Sequence, residues 1–314
     1  MKEINSGVYP VMLTLYNKDG SVDYGAAEAL TQWCYERGCH GIFATCLSSE
    51  TFYLTLEERI GLVKAVRRAT DRLVSADPNH RSMSIVASGH ASDDPKEQVR
   101  ELNGMYDAGA DGVVLITNRM DIENKGDDAW ISDAEKLIST LPDDASLGFY
   151  ECPTPFKRPL TEKMLMWIKS LNRKGFIKDT CSNAELIAKR VKILEGSEVK
   201  LFNADTETNL ETLRCGAAGF SGVMANFFPE LKVRQYECYK EDPEKADFLQ
   251  EYILRLARAM FCGAYPQNAK YLLNRQGIGE CYSSRMNPDG VLTEFEKKSC
   301  YAAFSLNEHI KQIL

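Results

Sequence analysis

The sequence predicts an α/β chain folded as a (β/α)8 TIM barrel with a C-terminal helical appendage. Three observations carry this. Eight short apolar runs recur along the chain, each followed by a stretch with apolar residues at helical spacing. The runs are continuous rather than alternating, which suits strands buried on both faces of a parallel sheet. No glycine-rich phosphate-binding turn follows any run, which weakens the competing open, doubly wound sheet.

The strand runs are 7–13, 40–45, 84–89, 112–117, 147–151, 175–178, 199–203 and 219–223. The helical stretches between them are 23–37, 55–70, 94–108, 127–140, 161–171, 183–192, 207–215 and 228–240. The second begins Thr55-Leu56-Glu57-Glu58, a capping box in which a threonine and a glutamate three residues on satisfy each other's backbone N–H groups. The third runs into Ala108-Gly109, a helix stop. Strands alternating with helices mean parallel βαβ units, and eight units over about 240 residues suit a closed barrel. Residues 1–240 are therefore assigned to the barrel. Residues 241–314 hold no strand-like run; 244–262 and 293–314 read as helices. No low-complexity linker precedes them, so the appendage is expected to pack on the barrel rather than move independently.

A net charge of −7 over 314 residues argues against a nucleic-acid partner, which calls for a basic stripe. It leaves room for an anionic small molecule, since a few local cations suffice for that. No apolar stretch reaches the length of a membrane helix. The N-terminal MKEINSGVYPVML is acidic and lacks the apolar core of a signal peptide. The expected setting is cytoplasmic, with no membrane partner. The 10 cysteines are scattered without a C-x-x-C pair, so neither a zinc site nor a disulfide framework is expected. Most read as small buried hydrophobes. Cys46 and Cys152 are left open, because both fall near the expected barrel mouth.

In such a barrel the active site lies at the C-terminal ends of the strands. That rule selects Cys46-Leu47-Ser48-Ser49-Glu50, Gly89-His90, Thr117-Asn118-Arg119, Tyr150-Glu151, Lys178-Asp179, Asn203 and Asp205. Lys178 ends the apolar run Gly175-Phe176-Ile177, so its stem should emerge into the mouth. Desolvation there would lower its pKa and supply the neutral amine that attacks a ketone. Position alone leaves open a structural ion pair with Asp179 or another carboxylate. Tyr150 is placed to pass protons, or simply to pack its ring and bond its hydroxyl. Ser48 and Ser49 offer hydroxyls and backbone N–H groups to a carboxylate, or are ordinary turn residues.

Taken together, these residues resemble the dihydrodipicolinate synthase / N-acetylneuraminate lyase family of class I aldolases. The family carries Y-x-x-P at strand 5 and K-D-[ST] at strand 6. Here stand Tyr150-Glu151-Cys152-Pro153 and Lys178-Asp179-Thr180, with the family's separation of 178 − 150 = 28 residues. The strand-2 motif G-[ST]-T-G-E and the helix start after it appear as Cys46-Leu47-Ser48-Ser49-Glu50 and Leu54-Thr55-Leu56-Glu57-Glu58-Arg59. Gly216–Gly222 with Ala225-Asn226 is similar to the strand-8 region, and Ser284-Arg285-Met286-Asn287-Pro288 to an element of the C-terminal helices. The resemblance covers nearly the whole chain.

It implies Lys178 as Schiff-base nucleophile, Tyr150 as general acid/base, and Ser48 with the Ser49 amide as holders of a pyruvate-like carboxylate. It also implies a homotetramer built as a pair of dimers. No metal and no cofactor are expected, since the imine does a Lewis acid's work.

The departures narrow the reading. Leu47 stands where a hydroxyl links two tyrosines in the synthase, and a leucine cannot pass a proton. Asn118-Arg119-Met120 replaces the strand-4 segment that carries the neighbouring subunit's tyrosine. Pro155 takes the place of an arginine, with Lys157 and Arg158 following as loop charges. The synthase relay is thus interrupted, and lysine biosynthesis is not expected. His90, Asn118, Arg119 and Glu151 are offered instead for hydroxyls or a second carboxylate, Arg119 because a guanidinium grips a carboxylate bidentately. For Arg119 the alternative is an ion pair with Asp121 or Glu123; for His90 it is a hydrogen-bonded loop histidine. The expected activity is a carbon–carbon lyase acting on a small-molecule 2-oxo acid such as a 2-keto-3-deoxy sugar acid. A Schiff-base dehydratase or condensing enzyme, and a catalytically weak binding or regulatory homologue, are the alternatives.

Overall fold

The computed structural model describes residues 1–79, 81–261 and 264–311. Eight parallel strands form the barrel: β1 Gly7–Val8, β2 Gly41–Phe43, β3 Ser84–Ala87, β4 Gly112–Ile116, β5 Ser146–Tyr150, β6 Gly175–Asp179, β7 Val199–Asn203 and β8 Gly219–Phe220. Each strand pairs with its neighbour in chain order, and β8 pairs with β1. A parallel bridge between Val11 and Phe43 joins the ends of β1 and β2 and brings the barrel close to closure. All eight expected runs form strands. The first is cut short at Val8 because Pro10 has no N–H to give the ladder. At the β1–β8 seam the backbones approach so closely that a Cβ on Gly219 would lie 1.8 Å from the Gly7 carbonyl oxygen.

Eight helices cover the outside: α1 Tyr24–Glu36, α2 Leu56–Ala76, α3 Pro95–Asp107, α4 Asp127–Ile138, α5 Glu162–Ser170, α6 Ala184–Leu194, α7 Asn209–Arg214 and α8 Pro229–Cys238. Their starts follow local chemistry. Thr55 and Glu58 form the expected capping box of α2, and Asp23, Asp94, Thr161 and Asn183 cap α1, α3, α5 and α6 with side-chain oxygens. The barrel interior is filled by Tyr9, Val11, Phe43, Val86, Val114, Ile116, Tyr150, Phe176 and Phe202. Tyr9, Phe176 and Phe202 pack ring to ring, with centroids 4.7 to 5.5 Å apart. The floor beneath the mouth is therefore aromatic and dry.

The appendage consists of α9 Pro243–Met260, α10 Gln267–Arg275 and α11 Glu294–Ile310. The first and last were expected; the ends of those expected ranges, Cys262 and 312–314, lie outside the described residues. The middle helix was not expected. It starts after Pro266 with no side-chain cap. Its buried Ala269, Leu272 and Leu273 at helical spacing were its only sequence signal.

That helix also carries Lys270, fully buried and ion-paired with Glu50 in the turn after β2. Glu50 sits at φ +60°, a left-handed conformation that non-glycine residues seldom adopt. Its Oε2 accepts from the Ser284 hydroxyl and the Met286 N–H, both at 2.9 Å. Lys270 Nζ also donates to the Ser283 carbonyl at 2.7 Å. Nearby, Arg285 grips Glu58 at 2.7 and 2.8 Å. The appendage is thus fastened to the turn after β2.

Removing one partner of a fully buried ion pair strands the other charge. Lys270→Met should lower unfolding free energy by roughly 3–5 kcal/mol, and adding Glu50→Gln should restore part of the loss. Urea denaturation of the two variants checks this; a Lys270→Met loss under about 1 kcal/mol would contradict the assigned role.

Candidate active site

Side chains alternate between the two faces of a strand. At the ends of β5 and β6 this puts Tyr150 and Lys178 inside the barrel and their successors Glu151 and Asp179 outside. Tyr150 and Lys178 are register partners on adjacent strands. Lys178 Nζ lies 4.5 Å from the centroid of the Tyr150 ring and 5.4 Å from that of Phe43. Lys178 is 5% exposed. Burial pulls its ammonium below the ordinary lysine range, opposed only by the neighbouring thiols of Cys46 and Cys152. Burial also pushes the Tyr150 phenol well up and the Cys152 thiol up. The site therefore holds a neutral phenol and a protonated Cys152 beside an amine biased toward its neutral form.

The Asp179 alternative for Lys178 is excluded by direction. Asp179 pairs with Arg190 on α6, and Arg190 also meets Glu151 at 2.9 Å. Glu151 further accepts from the N–H groups of Leu160 and Thr180, at 2.7 and 3.2 Å. It is fully buried outside the barrel wall. The structure thus does not bring Glu151 to the lysine. The triad of one guanidinium and two carboxylates instead locks the ends of β5 and β6 together, fixing Tyr150 and Lys178 indirectly. Burial and the neighbouring Asp179 raise the Glu151 pKa, against the pull of Arg190.

The other expected site residues divide. Ser48 lies buried in the 3-10 turn Leu47–Ser49 after β2. Ser49 Oγ turns back into the barrel wall; it accepts from the Cys46 N–H at 3.0 Å and donates to the Met12 carbonyl at 2.6 Å. Ser49 N–H is bonded within the turn to the Cys46 carbonyl at 3.0 Å. Asn118 Nδ2 holds the loop after β5, donating to the carbonyls of Cys152, Thr154 and Phe156. Arg119 pairs with Asp93, rather than with Asp121 or Glu123, and lies over the Phe52 ring. His90 accepts the Ile116 N–H at 2.9 Å through Nδ1 and is fully buried. Burial drives its pKa down to about 3, so it stays neutral. Arg158 is not a solvated loop charge; it bonds Asp121 at 2.7 Å.

Sequence reasoning missed Arg190. Arg190 had a signal: it falls on the apolar face of α6 with Ile187 and Leu194, where a charge needs a buried partner. A cavity of about 580 Å³ lined by Ser6, Lys200, Ala218 and Tyr236 lies at the opposite, N-terminal end of the strands and holds none of these groups.

The dihydrodipicolinate synthetase family model matches residues 5–117 and 156–305. The chain belongs to that family. Its members are lyases of the class I aldolase type, and this chain is accordingly a lyase. A 4-hydroxy-tetrahydrodipicolinate synthase of Methanosphaerula palustris is 24% identical over 276 residues, covering 87% of this chain and 89% of the relative. Among solved structures, a chloride-inhibited dihydrodipicolinate synthase of Acinetobacter baumannii, complexed with pyruvate, superposes with a TM-score of 0.80 at 22% identity. That match covers 96% of this chain and 98% of the other. CdNal of Clostridium difficile, complexed with mannosamine, gives 0.81 at 17% identity, with the same two coverages. Lys178 and Ser48 lie in the stretches that match the family model. Tyr150, Asn118, Arg119 and Glu151 lie in the unmatched 118–155, so for Tyr150 the argument is geometric.

Replacing Arg190 leaves two buried carboxylates facing each other. Arg190→Met should cost roughly 3–5 kcal/mol near pH 7. A carboxyl whose folded pKa is raised gives its stability fully below its unfolded value, about 4.3 for glutamate, and loses it as pH rises through the folded value. The variant should therefore recover stability relative to wild type as pH falls from 7 toward about 5. Denaturant melts at the two pH values test this; an unchanged difference would rule out the carboxylate pair as the cause.

Proposed function

We propose that this lyase forms a Schiff base between Lys178 and the ketone carbon of a 2-oxo acid with a pyruvate-like end. The observation that carries the reading is the Lys178 amine: buried, free of any carboxylate partner among the described residues, and set beside the Tyr150 phenol at the mouth of the barrel. The neutral amine attacks C2, and the carbinolamine loses water to give a protonated imine. Tyr150 carries protons to and from the carbinolamine oxygen. The iminium then accepts the electron pair released when the C3–C4 bond breaks, while the C4 hydroxyl gives its proton to the Tyr150 phenolate left by the loss of water, leaving an enamine, a carbonyl product and the phenol. Ser48 supplies a hydroxyl to the carboxylate.

The pyruvate bound in the Acinetobacter baumannii synthase supports this substrate class. Support for a sugar acid is thinner, because His90, Asn118, Arg119 and Glu151 are each engaged with the protein. The homotetramer and the cytoplasmic setting implied by the resemblance belong to the same proposal. No helix among the described residues is long and apolar enough to cross a membrane.

Borohydride reduction in the presence of pyruvate should leave a covalent adduct that peptide mapping places on Lys178. Lys178→Ala should abolish it while leaving the melting temperature near wild type. Protein that is folded yet gives no adduct with any 2-oxo acid would overturn the reading. Tyr150→Phe should still bind pyruvate but slow the exchange of its methyl protons into D2O by roughly 10²-fold. Exchange at the wild-type rate would remove Tyr150 from the proton path.

A further inference from the structure

Helix α11 turns one face inward and leaves the opposite face bare. Its inner side carries the buried Cys300, Ala303 and Asn307, and it packs on α9 and α10. The outward residues are Phe295, Lys298, Ala302, Leu306 and His309, all exposed. Their spacing of three, four, four and three residues keeps them on one stripe of an α-helix. Phe295 is 76% exposed and Leu306 49%. Tyr301 borders the stripe, with the Arg275 guanidinium 5.3 Å from its ring centroid. The exposed Val291 lies just before the helix. An amphipathic helix ordinarily puts polar residues on its outer face, so these apolar side chains in a row mark a contact surface.

We propose that this stripe packs antiparallel on the same stripe of a second copy of the chain, about a two-fold axis at Ala302. The stripe is symmetric about that residue: Lys298 and Leu306 lie four positions either side of it, Phe295 and His309 seven. An antiparallel pair therefore lays Ala302 on Ala302, where the small side chains let the helices approach closely. It sets Phe295 against His309 and the aliphatic stem of Lys298 against Leu306. Charge agrees with this fit. The chain carries −7, which keeps copies apart elsewhere. Residues 294–311 hold three glutamates and three lysines, so this helix is neutral. Lys298 has no carboxylate partner among the described residues, and the antiparallel fit brings it the partner's Glu308. The two helix dipoles run in opposite directions, which also favours the pair. A face that meets itself about a two-fold axis closes on itself, so it makes pairs and not filaments. The contact is one helix long, so the pair dissociates at roughly micromolar rather than nanomolar concentration. None of these residues belongs to the barrel mouth, and the inference stands apart from the Schiff-base reading.

Sedimentation velocity of the full chain over a range of protein concentrations tests this. Wild type should contain a species that Phe295→Ser/Leu306→Ser splits into halves at the same concentration. The dissociation constant of that step should rise by at least about tenfold, the scale of losing interface anchors. Both residues are exposed, so the melting temperature should stay near wild type. Lys298→Glu should also weaken the step, and adding Glu308→Lys should restore it. Within one chain these two residues are ten positions apart on the helix, about 15 Å, so the rescue cannot arise inside a single copy. Ala302→Cys, oxidised with copper–phenanthroline, should give a disulfide-linked dimer above the level that the native cysteines give in wild type. A wild-type sedimentation profile for Phe295→Ser/Leu306→Ser would overturn the proposal and leave the stripe to a different partner. Failure of Glu308→Lys to rescue Lys298→Glu, or no added cross-link at position 302, would overturn the antiparallel pair.

Discussion

A carboxylate with no exposed surface is tolerated only where its lone pairs are met, and Glu50 is met from a distant part of the chain. Lys270, the Ser284 hydroxyl and the Met286 N–H all converge on it. These partners lie 220, 234 and 236 positions away in sequence. The pair gains little as a net ion pair, since desolvating both charges offsets most of their attraction. Its importance lies in the damage its loss would do: an unpaired charge in the turn that shapes the mouth. Glu50 holds the backbone of Cys46–Ser49 in its 3-10 turn from one side and the appendage from the other. Ser48 sits in that turn, whose Leu47 carbonyl accepts from the Glu50 N–H at 2.9 Å.

Burial of a lysine is not in itself a chemical assignment, and three lysines here show why. Lys270 is fully buried and paired with a carboxylate. Lys232 on α8 is equally buried; it donates to Gln235 at 2.9 Å and lies over the Phe220 ring, and burial brings its pKa down to about 7. Lys178 alone of the three stands at a strand end inside the barrel. The strand's period of two separates it from Asp179, which is turned outward to Arg190. The same period separates Tyr150 from Glu151. The ion-paired carboxylates and the Tyr150–Lys178 pair thus occupy opposite faces of the same two strand ends, one residue apart.

That one-residue step also marks how far the sequence could be read. The eight apolar runs, Lys178 and Tyr150 were legible because burial and strand ends leave a pattern in the chain. The strand-end rule chooses positions but not faces. Glu151 could have been set aside by alternation alone, since it comes after an inward Tyr150. His90 lies in a loop and Asn118 and Arg119 in the 3-10 turn Thr117–Arg119, past the strand ends where the period of two no longer applies, and their partners, the Ile116 N–H, the carbonyls of Cys152, Thr154 and Phe156, and Asp93, are fixed by folding. Helix α10 was illegible for a similar reason: it lacks a capping side chain and puts a lysine on its buried face, which only Glu50 explains.

Arg119 is paired with Asp93 and Arg190 with two carboxylates, so neither is free to meet a substrate anion. The groups next to Lys178 are instead the Tyr150 phenol, the Phe43 ring and the thiols of Cys46 and Cys152. A guanidinium gripping the substrate carboxylate would neutralise it. Neutral donors hold the same carboxylate but leave its charge unpaired. In the proposed reaction Lys178 becomes an iminium, and that charge would lie beside it above an aromatic floor, where a low dielectric strengthens their attraction. A mouth whose arginines are already paired would therefore favour the proposed iminium over the neutral carbinolamine that precedes it.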